Sequence, residues 1–443
     1  MSETRARGIW WLHPGWIVLA MAAVIITAAY FIPDSSFRSD WRTPKYFDSN
    51  SLLICCAAVA TFALGAFTGT MHGGRPQTCV AFNELSWEWL RKTFSFCFWC
   101  TATGYATWAG AAAARGVSLS LVTGVLRGEK GAAYTMKETY LGTISGVTTL
   151  TQFGIAAVVL GAVMGARSGW KTVRLRMAAI FAMALVRAVL NSERLAVIEL
   201  AIPLALVLLR LKLLNSERLS SRARSLLPFA PVVACVGLLL VFAGFEYLRS
   251  WTSFYAGGDL GFWQFASLRL VGYYVTALNN GAVILHYVGT TSAPYFILRF
   301  LWKLPVISQA LGGMFPNLPW DNDGDPYMTV LDLHANPEFN NGSGYFMPAV
   351  DVGLTGSLIY WLLAGIACGV FYRLYTRQHI AGLLFYPVLF VGVAEMPRIL
   401  YWGEGRIFPV YVILAIIAWK SVSAARKLPV AERPAMEAVE AGS

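Results

Sequence analysis

Ala230-Pro231-Val232-Val233-Ala234-Cys235-Val236-Gly237-Leu238-Leu239-Leu240-Val241-Phe242-Ala243 is a run without a single charged side chain. With its flanks it covers 227–248, long enough as a helix to cross a hydrocarbon core about 30 Å thick. Hydrocarbon offers a backbone amide no water, so a crossing segment must bond its own amides as a helix or close into a barrel. Barrel strands alternate polar and apolar residues, and this run does not. It reads as a transmembrane helix.

The rest of the chain extends the pattern in both directions. Of 443 residues, 57% are hydrophobic and 13% charged, against about 25% charged in a soluble domain. A soluble fold of this length would need a polar surface that this sequence cannot supply. Further spans are expected at 16–32, 51–69, 93–114, 141–165, 175–190, 195–211, 351–373, 381–397 and 407–420. The first is not a cleaved signal, because Tyr30-Phe31-Ile32-Pro33 offers no small-residue cleavage site. The expected fold is an all-α polytopic membrane protein with about ten transmembrane helices.

Its organisation follows from the spacing. Residues 1–248 form an N-terminal membrane bundle of seven spans, and 249–350 a large extracytoplasmic loop. Residues 351–420 form a C-terminal bundle of three spans, and 421–443 a cytoplasmic tail. The larger share of Lys and Arg falls on the side of both termini, which places them in the cytoplasm. The net charge of +11 is then met by anionic membrane lipids. No soluble basic domain is available for nucleic acid, and no phosphate loop or Gly-x-Gly-x-x-Gly fingerprint provides for a nucleotide. None of the seven cysteines falls in an outer loop, so no disulfide framework is expected. Cys97 and Cys100 read as a packing pair inside a helix.

Within the long loop, Phe262 to Val288 reads as amphipathic helix, lying on the membrane or folded back into the bundle. Arg299-Phe300-Leu301-Trp302-Lys303 has the look of an interfacial anchor. Asp321, Asp323 and Asp325 imitate a calcium loop, but Gly324 stands at the fourth place rather than the sixth. A polar turn is the better reading, and no metal site is expected.

The cations near the outer boundary carry more information. Arg187 lies inside the fifth expected span and Arg194 opens the sixth. An intramembrane Arg costs at least about 3 kcal/mol on insertion scales, so it must be paired or face a polar cavity. Glu193 or Glu199 could be its partner; alternatively Arg187 and Arg194 clamp an anion, since guanidinium matches phosphate oxygens in bidentate fashion. Arg398 follows the helix-breaking Pro397 and lies one turn from Glu395. Glu404 and Arg406, nearby, fit a solvated loop as well as a cavity. For a proton acceptor the loop offers His334, Asp332, Glu338 and the three aspartates, with Asp351 at the mouth of the eighth span. His334 leads because its ordinary pKa lies near working pH.

Two stretches resemble the O-antigen polymerase family, the membrane enzymes that join oligosaccharide repeat units. One is Arg187 to Glu199, with Arg194 opening a span after a very short outer turn. The other runs from Glu338-Phe339-Asn340-Asn341-Gly342-Ser343-Gly344 into Asp351-Val352-Gly353-Leu354-Thr355-Gly356, ahead of Gly365 and Gly369. The resemblance implies a GT-C-like fold and a metal-independent glycosyltransferase needing no cofactor, in the bacterial inner membrane. Donor and acceptor would be lipid-linked oligosaccharides, the donor on polyprenyl pyrophosphate. Arg187, Arg194, Arg269 and Arg398 would hold the pyrophosphate; His334, then Asp332 or Glu338, would be the base. A chain-length regulator and a flippase would be partners, with no nucleic acid involved. An O-antigen ligase-type transferase, a flippase or transporter for a lipid-linked sugar, and a non-catalytic scaffold are the competing expectations.

Overall fold

In the computed structural model, residues 9–71, 84–142, 144, 146–191, 194–213, 225–302, 307, 314 and 326–426 are described. Among them the regular structure is all helical, with no strand. The expected spans each fall on a helix. The first three are α1 (Pro14–Phe31), α3 (Ser49–Met71) and α4 (Glu84–Ala114), with a short α2 (Asp34–Trp41) after α1 and α5 (Leu119–Arg127) after α4. Next come α6 (Phe153–Ser168), α7 (Arg174–Asn191), α8 (Leu195–Leu208) and α9 (Ala230–Glu246). The long segment 249–350 holds α10 (Phe262–Val288) and α11 (Pro326–His334), followed by α12 (Met347–Thr376), α13 (Ile380–Glu395) and α14 (Phe408–Arg426).

Four stretches are long and apolar enough to cross a membrane: Pro14–Phe31, Ser49–Met71, Leu227–Glu246 and Met347–Thr376. A fifth results if Trp87–Ala114 and Leu119–Arg127, bent by 107°, count as one broken span. The expected fourth span begins late, at Phe153 instead of residue 141. The stretch ahead of it is rich in glycine and threonine, and Gly146 takes a left-handed φ of +78°, a conformation that favours glycine and interrupts a helix.

The tightest packing joins α3 to α12. Gly65 and Gly69 face Gly365 and Gly369, four residues apart on each helix. A methyl group on any of them would collide with a carbonyl oxygen of the opposite helix. In lipid, where apolar side chains gain little by leaving one another's company, such small-residue stripes let backbones approach and gain dispersion contact.

α10 folds back into the bundle. Every residue from Val275 to Ile284 is buried, so the helix is enclosed on all sides there. Asn279 and Asn280, which suggest a polar surface face, instead bond neighbouring backbone. The Asn279 amide donates to Pro44 O at 2.9 Å, and its oxygen accepts from the Tyr46 and Phe47 N–H groups. Asn280 donates to Phe339 O and Asn341 O, fixing the loop that leads to α12. Burying an amide side chain is tolerated when it bonds backbone in this way.

Candidate functional site

The end of α7, the start of α8 and the turn after α13 bring distant arginines to one place. Arg187 sits on the last turns of α7 and donates from Nη1 to Thr151 Oγ1 at 3.0 Å. Arg194, at the start of α8, donates from Nη2 to Glu246 Oε1 at 2.8 Å and to the Tyr273 hydroxyl at 3.1 Å. Its guanidinium also lies 4.0 Å from the centre of the Phe242 ring. After α13 the chain turns sharply at Pro397, and Arg398 Nε stands 2.9 Å from Glu395 Oε2. That turn is held from outside: Ser343 N donates to Arg398 O at 2.9 Å and Gly344 N to Met396 O at 3.0 Å. The Asn-Gly-Ser-Gly stretch is thus a backbone clasp.

Between these segments lies a cavity of about 520 Å³. Its wall carries six cations, Lys137, Arg187, Arg194, Arg299, Arg398 and Arg406, and three carboxylates, Glu199, Glu338 and Glu404. α10 adds Tyr273 and Ile284, α11 adds Tyr327, Met328 and Leu331, and 340–343 closes one side. Protein carboxylates hold several of the cations in fixed orientation. Arg299 meets Glu404 at 2.9 Å, and Arg406 meets the buried Glu199 at 3.5 Å. The wall nevertheless keeps an excess of positive charge. Guanidiniums held in fixed orientation around one hollow are suited to an anion whose charge grows during reaction.

The expected residues divide in two. Arg187, Arg194, Arg398 and Glu338 share the cavity wall. Arg269 stands behind it, 3.5 Å from Glu246 and bonded to Glu338. His334 and Asp332, both on α11, are not among the lining residues. The His334 ring stacks on Tyr287, with centroids 3.8 Å apart and planes 9° from parallel, and Asp332 is exposed. Asp351 is fully buried, and its carboxylate accepts from Ile297 N, so it braces backbone. Glu193, Lys303 and the three loop aspartates Asp321, Asp323 and Asp325 lie outside the described residues. Among the described residues no group of three or more His, Cys, Asp or Glu is placed to hold a metal ion.

Sequence reading gave Arg299 another role, left Glu404 and Arg406 open, and passed over Glu246, which stands behind the wall. Arg299 carries the aromatic neighbours of a membrane anchor, yet it faces Glu404 across the cavity edge while Trp302 is buried, its indole N–H on Pro294 O at 3.1 Å. The anchor reading fails because 294–302 packs against the bundle. Glu404 and Arg406 belong to the wall, with side chains 25% and 33% exposed. Glu246 gives one legible signal, as the only charge in an otherwise apolar run of twenty residues. Set against protein-family models, curated proteins and solved structures, the chain matches none.

Proposed function

We propose that the chain is a membrane glycosyltransferase that joins polyprenyl-pyrophosphate-linked oligosaccharide repeat units, as the resemblance to O-antigen polymerases implies. The observation that carries the reading is the sharing of one cavity by the arginines and Glu338. The acceptor sugar's hydroxyl oxygen attacks the donor's anomeric carbon, the bond from that carbon to the pyrophosphate breaks, and the proton passes to Glu338. Arg187, Arg194 and Arg398 take up the charge that develops on the leaving pyrophosphate. Glu338 becomes the first choice for the base because it lines the cavity, where His334 and Asp332 do not. The reading includes ten spans of GT-C-like arrangement in a bacterial inner membrane, with both termini cytoplasmic and the cavity toward the outer face. A flippase that supplies repeat units and a chain-length regulator are its partners.

The test is direct. Purified protein in lipid nanodiscs is given lipid-linked repeat units, and the products are separated by length. Longer lipid-linked chains support the reading. Transfer of the glycan to a different lipid acceptor, without elongation, favours a ligase-type transferase. In proteoliposomes, movement of the lipid between leaflets with no new bond favours a flippase, for which arginines without a base suffice.

A further inference from the structure

Glu246 ends α9, and most of α9 stands clear of the bundle; its buried residues are Phe242, Ala243 and Glu246. The Glu246 side chain has 0% exposure and lies between two guanidiniums, 2.8 Å from Arg194 Nη2 and 3.5 Å from Arg269 Nε. Arg269 in turn bonds Glu338, whose side chain is 39% exposed. Arg194, Glu246, Arg269 and Glu338 therefore form a chain of alternating charge. Its two ends line the cavity, one as a cation and one as a carboxylate, while its two middle members do not.

Resting on the transferase reading, we propose that Glu246 is a positioning residue that couples the phosphate-contacting Arg194 to the carboxylate Glu338. A carboxylate shared by two guanidiniums in a water-poor setting divides its charge between them. When a phosphate engages Arg194, it competes with Glu246 for that guanidinium. Glu246 then leans toward Arg269, and the hold of Arg269 on Glu338 slackens. The donor's arrival so frees Glu338 to accept the hydroxyl proton, and the site works in the order donor, then acceptor. No proton or covalent bond moves along the chain itself.

Glu246 could instead be only a latch for α9, and the two roles give opposite results. Binding of inorganic pyrophosphate to the full chain in nanodiscs is measured by calorimetry, alongside elongation of lipid-linked repeat units. Glu246→Gln removes the competitor for Arg194 while keeping the side chain's shape. Pyrophosphate is expected to bind Glu246→Gln roughly tenfold more tightly while kcat falls by roughly tenfold or more, as loss of a close charge pair allows. Glu246→Asp is expected to recover part of the turnover. Weaker pyrophosphate binding together with lower turnover overturns the proposal and leaves the latch, as does a Glu246→Gln protein matching wild type in both. If Glu246→Gln does not fold, Arg269→Met with Glu246→Gln removes one charge of each sign. Tighter pyrophosphate binding there than in Arg269→Met alone supports the competition for Arg194 on which the coupling depends; equal or weaker binding overturns it. Wild-type protein that neither binds pyrophosphate nor elongates chains sinks the transferase reading and this proposal with it, whereas an active wild type indistinguishable from Glu246→Gln sinks only the proposal.

Discussion

The Asp351 carboxylate accepts a hydrogen bond from the backbone N–H of Ile297 at 2.7 Å. Asp351 opens a bend in α12, where Val352 leaves helical geometry and Gly353 adopts φ +71°; only glycine takes that conformation without strain. Thr291 N bonds Val350 O alongside, at 2.8 Å. The Asp-x-Gly motif thus ties 291–297 to the start of α12; Phe296 within that segment and Arg299 just beyond it line the cavity. Asp351→Ala should release the segment, costing about 1–3 kcal/mol for leaving the Ile297 N–H without its acceptor. Asp351→Asn, which keeps an acceptor, should cost less. Thermal unfolding and elongation rate should fall in the order wild type, Asn, Ala. Equal values for all three would detach the motif from the site.

Arg187 and Arg194 supply the second prediction. Each is replaced by Ala in separate proteins, with insertion checked by membrane fractionation. Elongation should fall by about 10²–10³ in each, the range for losing one donor to a developing anion. Lys should rescue poorly, because a point charge does not reproduce the planar fork. Full elongation by both Ala variants would remove the clamp.

Much of this was legible because membranes make charge expensive. Arg187, Arg194 and Arg398 stand out in apolar surroundings, and each lies on the cavity wall. Arg299 and Glu404 were not legible as partners, since 105 residues separate them and each alone resembles an interface residue. Asn279 and Asn280 gave the pattern of a wet helix face, because a sequence does not reveal which carbonyl will meet an amide. The glycine pairs at 65, 69, 365 and 369 show the converse. Their spacing is visible on each helix, but the match between helices exists only once α3 and α12 are laid together.

Choosing between Glu338 and His334 needs one comparison. Glu338→Gln keeps the size and the bond to Arg269 but cannot take a proton, so turnover should drop by about 10²–10⁴. His334→Ala removes a ring that stacks on Tyr287 and should leave turnover within a few-fold of wild type. The rates come from the same elongation assay at saturating donor. A loss in His334→Ala as deep as in Glu338→Gln would return the base role to the histidine.

Two half-buried histidine caps are expected to make folding depend on pH. His13 Nδ1 accepts from Gly15 N at 3.1 Å at the start of α1, and His379 Nδ1 accepts from Ala381 N at 3.2 Å at the start of α13. Both caps use a lone pair that protonation removes. Burial pulls both pKa values down, that of His13 from 6.5 to about 4. Between those two values the unfolded chain binds more protons than the folded one, so stability rises with pH. The contribution is fully present above pH 6.5 and is lost as the pH falls toward 4. Thermal unfolding in detergent across this window should show a falling midpoint with acid. His13→Asn retains a capping oxygen without a titrating group, so its midpoint should match wild type near neutral pH and fall less in acid. An unchanged slope in His13→Asn would place the acid sensitivity elsewhere.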